Sequence, residues 1–360
     1  MHKKKLSASI LSLAIGLGLL TGCGTTAVVA VPAPTPSAAP VETPTVPTST
    51  PAEGSEGAVK TGLSLITSVG SSTSASAEGD GLAQADITLV AVTVGEDGVI
   101  DDCVIDAIQS KVNFDTSGQL LSDLTAPVGS KNELGTDYGM VVASSIGKEW
   151  NEQAQALADY VVGKTIEQVT GIAVTEDGKA ADADLASSVT MSIGGYLEGI
   201  QQAVANAQYL GASKGDTLVL TSTTSLSDSK NASAEEDGLA QAYATVGAIT
   251  MNGDTITSMV IDAVQANVNF DVSGQITTDL SLPQASKNQL GDDYGMRVAS
   301  SIGKEWYEQA ASFAAYVTGK TPAEVSGIAV TEDGKAADAD LAASVTVSIG
   351  DFQTLVDKAA

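Results

Sequence analysis

Gly171–Ala186 reads GIAVTEDGKAADADLA, and the same sixteen residues return unchanged as Gly327–Ala342. The match extends outward from this block. SSIGKEW at Ser144–Trp150 returns at Ser300–Trp306, and Asn113-Phe114-Asp115 returns as Asn269-Phe270-Asp271, all at a period of 156 residues. Asp80-Gly81-Leu82-Ala83-Gln84 returns as Asp237-Gly238-Leu239-Ala240-Gln241, one residue out of step. A period this long marks a duplicated domain, since solenoid units run to only about 20–50 residues. Two copies are expected, over residues 60–210 and 216–360.

Within each copy the pattern changes from strands to helices. Leu63–Val69 alternates weakly, Ile87–Val94 is apolar and β-branched, and Val99–Ile108 follows the turn Glu96-Asp97-Gly98 as a hairpin partner. Asn252-Gly253-Asp254 is the stronger turn signal of the second copy. A further short strand is expected at Lys111–Phe114. Met140, Ala143, Gly147, Trp150, Ala154, Leu157 and Val161 then step by three and four, which predicts one helical face. The stripe recurs from Met296 to Val317, and Gly163 and Gly319 stand where a helix would end. Thr165…Gln168 and Thr321-Pro322…Glu324 are capping boxes for a short helix. Ser192 and Ser348 are expected to cap a last helix. Strands followed by helices predict an α+β fold, an antiparallel sheet packed by helices, in two tandem copies.

Residues 1–23, MHKKKLSASILSLAIGLGLLTGC, begin with three lysines and continue with an apolar run from Leu6 to Leu20. That run is short for a membrane-spanning helix and suits a signal peptide over residues 1–22. Leu20-Thr21-Gly22-Cys23 resembles the lipobox of bacterial lipoproteins. The resemblance implies a diacylglycerol thioether on Cys23 and a lipid anchor at the extracytoplasmic face of the cell membrane. Seven of the ten prolines lie between Pro32 and Pro51. Residues 23–59 are therefore expected to be a disordered stalk with polyproline II character, in which about thirty residues reach roughly 90 Å.

The chain has 17 Lys and Arg against 44 Asp and Glu, a net charge of −27, one His and two Cys. Loss of Lys3, Lys4 and Lys5 with the signal would bring the body to −30. Such a surface repels phosphate backbones, so nucleic acid is excluded as a partner. The only His is His2, which removes His-dependent catalysis and His-rich metal sites. Two cysteines cannot make a disulfide framework. Cys103 aligns with Met259 in the second copy and reads as a core residue.

Polar positions identical in both copies are candidates for function. They include Lys131/Lys287, Asn132/Asn288, Tyr138/Tyr294, Glu149/Glu305, Asp184/Asp340 and Thr190/Thr346. Trp150 and Trp306 lie on the apolar stripe and read as core, whereas Tyr138 and Tyr294 sit beside glycines where a ligand could approach. Asp177, Asp182 and Asp184 lack the spacing of a calcium loop.

A hairpin, a Tyr-Gly-Met…Trp segment and an Asp…Thr…Ser block before a last helix together resemble the FMN-binding domain. That domain occurs in extracytoplasmic bacterial lipoproteins and in flavoprotein subunits of ion-pumping redox complexes. Its motif is Asp-x-x-Ser-Gly-Ala-Thr-x-x-Ser. Here the first copy reads Asp184-Leu-Ala-Ser187-Ser188-Val189-Thr190-Met-Ser192. The second reads Asp340-Leu-Ala-Ala343-Ser344-Val345-Thr346-Val-Ser348. Gly is replaced by Ser and Ala by Val, and a β-branched Val beside the Thr is expected to narrow the approach.

The resemblance implies FMN as cofactor, joined through a phosphoester to Thr190 and Thr346 by a separate flavin transferase. Asp184 and Asp340 would orient the site, with Ser187, Ser192, Ser348, Tyr138 and Tyr294 around it. The implied function is an extracellular electron carrier working with membrane redox partners. The alternative is a non-catalytic surface binding or interaction module without flavin. A mainly structural envelope protein is a third reading.

Overall fold

Each copy pairs three antiparallel strands in chain order. β1 (Lys60–Ser68), β2 (Gly81–Val94) and β3 (Ile100–Phe114) form one sheet, and β4 (Thr217–Ser225), β5 (Gly238–Asn252) and β6 (Thr255–Phe270) form the other. The computed structural model describes residues 57–360. The expected signal peptide, Cys23 and the expected stalk up to residue 56 lie outside the described residues. Gly57–Val59, expected in the stalk, already belong to the fold: the Val59 N–H donates to Ala212 O at 3.1 Å.

The central strands are apolar on both faces because both faces are covered. Val90, Val92 and Val94 of β2 pack with Cys103, Ile105 and helical residues. Ile87, Leu89 and Ala91 face the other way and meet Ala244, Val246 and Ala248 of β5. The molecule is thus α+β in four layers, helix, sheet, sheet and helix. Val94 pairs with Ile100 across a five-residue loop, whereas Met251 pairs with Ile256 across four residues. This shorter turn is the source of the one-residue slip between the copies. Lys111–Phe114, expected as a separate strand, continues β3 without a break.

The helices of the first copy are α1 (Lys131–Leu134), α2 (Trp150–Val161), α3 (Ile166–Thr170), α4 (Ala183–Ala186) and α5 (Gly194–Asn206). Those of the second are α6 (Lys287–Leu290), α7 (Trp306–Val317), α8 (Pro322–Ser326), α9 (Ala339–Ala342) and α10 (Gly350–Asp357). Both expected capping boxes form, with Pro322 in the first turn of α8. The long stripe is corrected at its start. Met140 lies in a 3-10 turn, Gly147 has φ +64°, and α2 begins only at Trp150 with Glu149 as its N-cap. Ser192 and Ser348 do not cap the last helices; Ile193 and Ile349 hold that position without a side-chain bond.

The copies join about an approximate two-fold. Phe114 and Phe270 stack with centroids 4.1 Å apart. The Ala75 N–H donates to Gly274 O and the Ala232 N–H to Gly118 O, each at 2.8 Å. Gly118 and Gly274 have φ +67° and +68°, and a Cβ on either would meet the opposite copy within 2.8 Å. Only glycine meets both demands there. The repeats at 60–210 and 216–360 therefore share cores, and the described residues belong to one compact unit.

Candidate functional site

Gln153, one turn into α2, is 0% exposed and organises the Thr190 segment. Its Oε1 accepts the Thr190 N–H at 2.8 Å, the Thr190 hydroxyl at 3.2 Å and the Met191 N–H at 3.3 Å. Its Nε2 donates to Ser144 Oγ and Lys148 O, each at 3.2 Å. Gln309 repeats the arrangement on Thr346, with 2.8 Å to the N–H and 3.2 Å to the hydroxyl. A buried amide needs its donors and acceptor satisfied, and here each lands on the same strip of chain in both copies. Both threonines are half-buried. Sequence reading passed over this glutamine, although Glu-Gln-Ala recurs at 152–154 and 308–310.

Val189 and Val345 point inward, 1% and 0% exposed. The expectation that they narrow the approach to the threonine is corrected: each packs in its copy's own core. Asp184 and Asp340 are exposed, in the first turn of α4 and α9; Asp182 and Asp338 are the N-caps. The Ser187 hydroxyl donates to Asp184 O at 2.7 Å, and Ala343 has no counterpart to it. Ser192 lies against the turn at Gly178 and donates to its carbonyl at 3.4 Å. Ser348 lies beside Gly334, whose carbonyl accepts the Ile349 N–H at 2.9 Å. Ser192 therefore fastens a turn, and Ser348 stands at the matching turn.

Tyr138 and Tyr294 belong to a different cluster. Lys131 Nζ lies 4.6 Å from the Tyr138 ring and 5.1 Å from Trp150. Lys287 Nζ lies 4.8 Å from both Tyr294 and Trp306. Trp150 and Trp306 are buried, as the stripe predicts, each with one face given to a lysine. Glu149 and Glu305 are buried too; they accept the N–H groups of residues 140–141 and 296–297 at 2.8–3.1 Å. They hold 3-10 turns whose Val142 and Val298 are 92% and 96% exposed.

Asp106 and Asp262 are buried, and desolvation raises each to about 6 despite hydrogen bonds from the Asn132 or Asn288 backbone. Burial raises the Cys103 thiol well above its usual range, as suits a core residue. Among the described residues no three His, Cys, Asp or Glu side chains gather as a metal site, and no helix is long and apolar enough to cross a membrane.

The clamp presents a threonine hydroxyl whose proton is directed at the Gln carbonyl, leaving oxygen lone pairs for another partner. No imidazole lies among the described residues to serve as a base. No family model matches the chain, and no curated protein and no solved structure matches it.

Proposed function

We propose that this chain is a lipid-anchored protein of the extracytoplasmic membrane face that carries FMN on Thr190 and Thr346 and acts as an electron carrier. The observation that carries the reading is the clamp built twice. Gln153 and Gln309 fix the backbone and hydroxyl of the one threonine that the flavinylation motif requires, at matching distances. The residues present fit such a group: both threonines are half-buried, and both valines point away from them. Bound flavin supplies the redox chemistry; the chain supplies attachment and orientation. As the family resemblance implies, a separate flavin transferase would make the attachment. Anchoring at Cys23 would tether a body whose acidic surface anionic lipids repel.

Co-expression with a flavin transferase tests the reading. The purified protein is expected to absorb near about 450 nm, as an oxidised flavin does. Thr190→Ala and Thr346→Ala should each remove half of that absorbance. A colourless product, with no FMN uptake by the apo-protein, overturns the reading. The Ser188/Ser344 departures from the motif's Gly favour the second reading, a binding module without flavin, and that outcome would select it.

A further inference from the structure

β6 is an outer strand of its sheet, so one row of its backbone groups turns away from the ladder. Ile261 O accepts Asn288 Nδ2 at 2.9 Å, and the Ala263 N–H donates to Asp262 Oδ1 at 2.7 Å. These bonds show that the odd-numbered residues here face away from β5, and Met259 belongs to the same row. The Met259 N–H, the Met259 carbonyl and the Ile261 N–H have no hydrogen-bond partner among the described residues. Both residues are buried. Buried backbone groups in folded proteins are almost always paired, so three together on one strand edge call for a partner.

Met259 and Ile261 line a cleft of about 440 Å³ bounded by β1, β6 and α7. On the β1 side the outward carbonyls are taken: Leu63 O accepts Asn206 Nδ2 and Leu65 O accepts Gln289 Nε2, each at 3.1 Å. The α7 side presents Ala311, Ala314 and Ala315. Asp262 also lines the cleft, but its oxygens already accept the Ala263 and Asn288 N–H groups and the Ser286 hydroxyl. Met259 is thus the place where a donor and an acceptor stand free side by side.

The first copy blocks the corresponding edge. At the 156-residue offset Cys103 stands for Met259, and its N–H donates to Asp102 Oδ1 at 2.8 Å. In the second copy Ser258 replaces Asp102, and its hydroxyl is bonded instead to the Thr61 and Thr250 hydroxyls, each at 2.7 Å. On the helix, Gln155 and Asp159 of α2 become Ala311 and Ala315 of α7. Three substitutions therefore uncap the strand and shorten the side chains beside it.

We propose that this cleft binds an extended peptide segment of a partner protein, which adds to β6 as a short strand at Met259 and Ile261. A peptide residue opposite Met259 supplies the carbonyl and the N–H that its two free groups require, which is the pairing of strand addition. The alanine wall admits small side chains, and no Lys or Arg lines the cleft to hold an acidic one. The chain's net charge of −27 favours lysines on either side of the docked stretch. The site is independent of flavin at the threonines.

Titration of the full chain with the peptide acetyl-KAVAVK-amide tests this, followed by calorimetry and by amide hydrogen exchange in NMR spectra. One saturable site per chain is expected, with the Met259 and Ile261 N–H groups gaining protection. The same peptide N-methylated at alternate residues keeps its charge and loses its strand donors, and should bind at least about tenfold more weakly. Ala311→Gln combined with Ala315→Gln, at exposed positions of α7, should weaken the parent peptide by a similar factor and leave the melting temperature near that of the parent chain. No saturable binding at millimolar concentration, equal binding of the N-methylated peptide, or protection that bypasses Met259 and Ile261 would each overturn the proposal. Undiminished binding by the double variant would overturn it as well.

Discussion

Asp262 shows how one buried side chain sets a pH dependence. Its folded value, about 6, lies above the ordinary 3.8, so folding favours the protonated form. The resulting stability is fully present below about pH 4 and is lost as pH rises through 6. Asp262→Asn keeps an acceptor for the Ala263 and Asn288 N–H groups without the charge. It should stabilise the protein at pH 7 by roughly 1–3 kcal/mol and change little near pH 4, as read by urea melts at the two pH values. Exposed carboxylates such as Asp115 and Asp271 are lowered by hydrogen bonds within their own turns and give the opposite trend at lower pH. At this scale the sequence was partly legible. Duplication singled out Thr190, Lys131 and Glu149, while Gln153 looked like any polar residue in a helix. Its role depends on a contact 37 residues away along the chain.

Elements with local signals were the most legible. The capping boxes at Thr165 and Thr321 place helix starts because the side chain and the backbone it satisfies lie within one turn. The stripe from Met140 misled because periodicity alone does not report the positive φ of Gly147, nor the Glu149 carboxylate that holds residues 140–141 outside the helix. Glycines with equal φ separate strain from packing. Gly98, with φ +75°, has open space around it, whereas a Cβ added at Gly118, with φ +67°, would lie 2.6 Å from the Ala232 Cβ. Gly98→Ala should cost about 1 kcal/mol and Gly118→Ala about 2–4 kcal/mol, measured by equilibrium unfolding. Similar costs for the two would mean that the junction between the copies is loose.

The whole molecule was the least legible scale. A duplicated sequence suggests two separate bodies, and the composition of a strand covered by helices differs little from that of a strand covered by another sheet. β2 and β5 did carry the sign, since both their faces are apolar. Shared cores predict a single cooperative calorimetric transition with equal van't Hoff and calorimetric enthalpies. Phe114→Ala should destabilise both copies together by about 3–5 kcal/mol, because its ring stacks on Phe270. Two resolved transitions would show that the copies fold apart.

The central functional claim is that Gln153 and Gln309 each present a threonine for flavin attachment. Intact-protein mass spectrometry after co-expression with a flavin transferase reads it most directly. The account predicts a mass increment of two FMN phosphoesters, of which Thr190→Ala and Thr346→Ala each remove one. An unmodified mass for the parent chain, or increments that survive both substitutions, would contradict it.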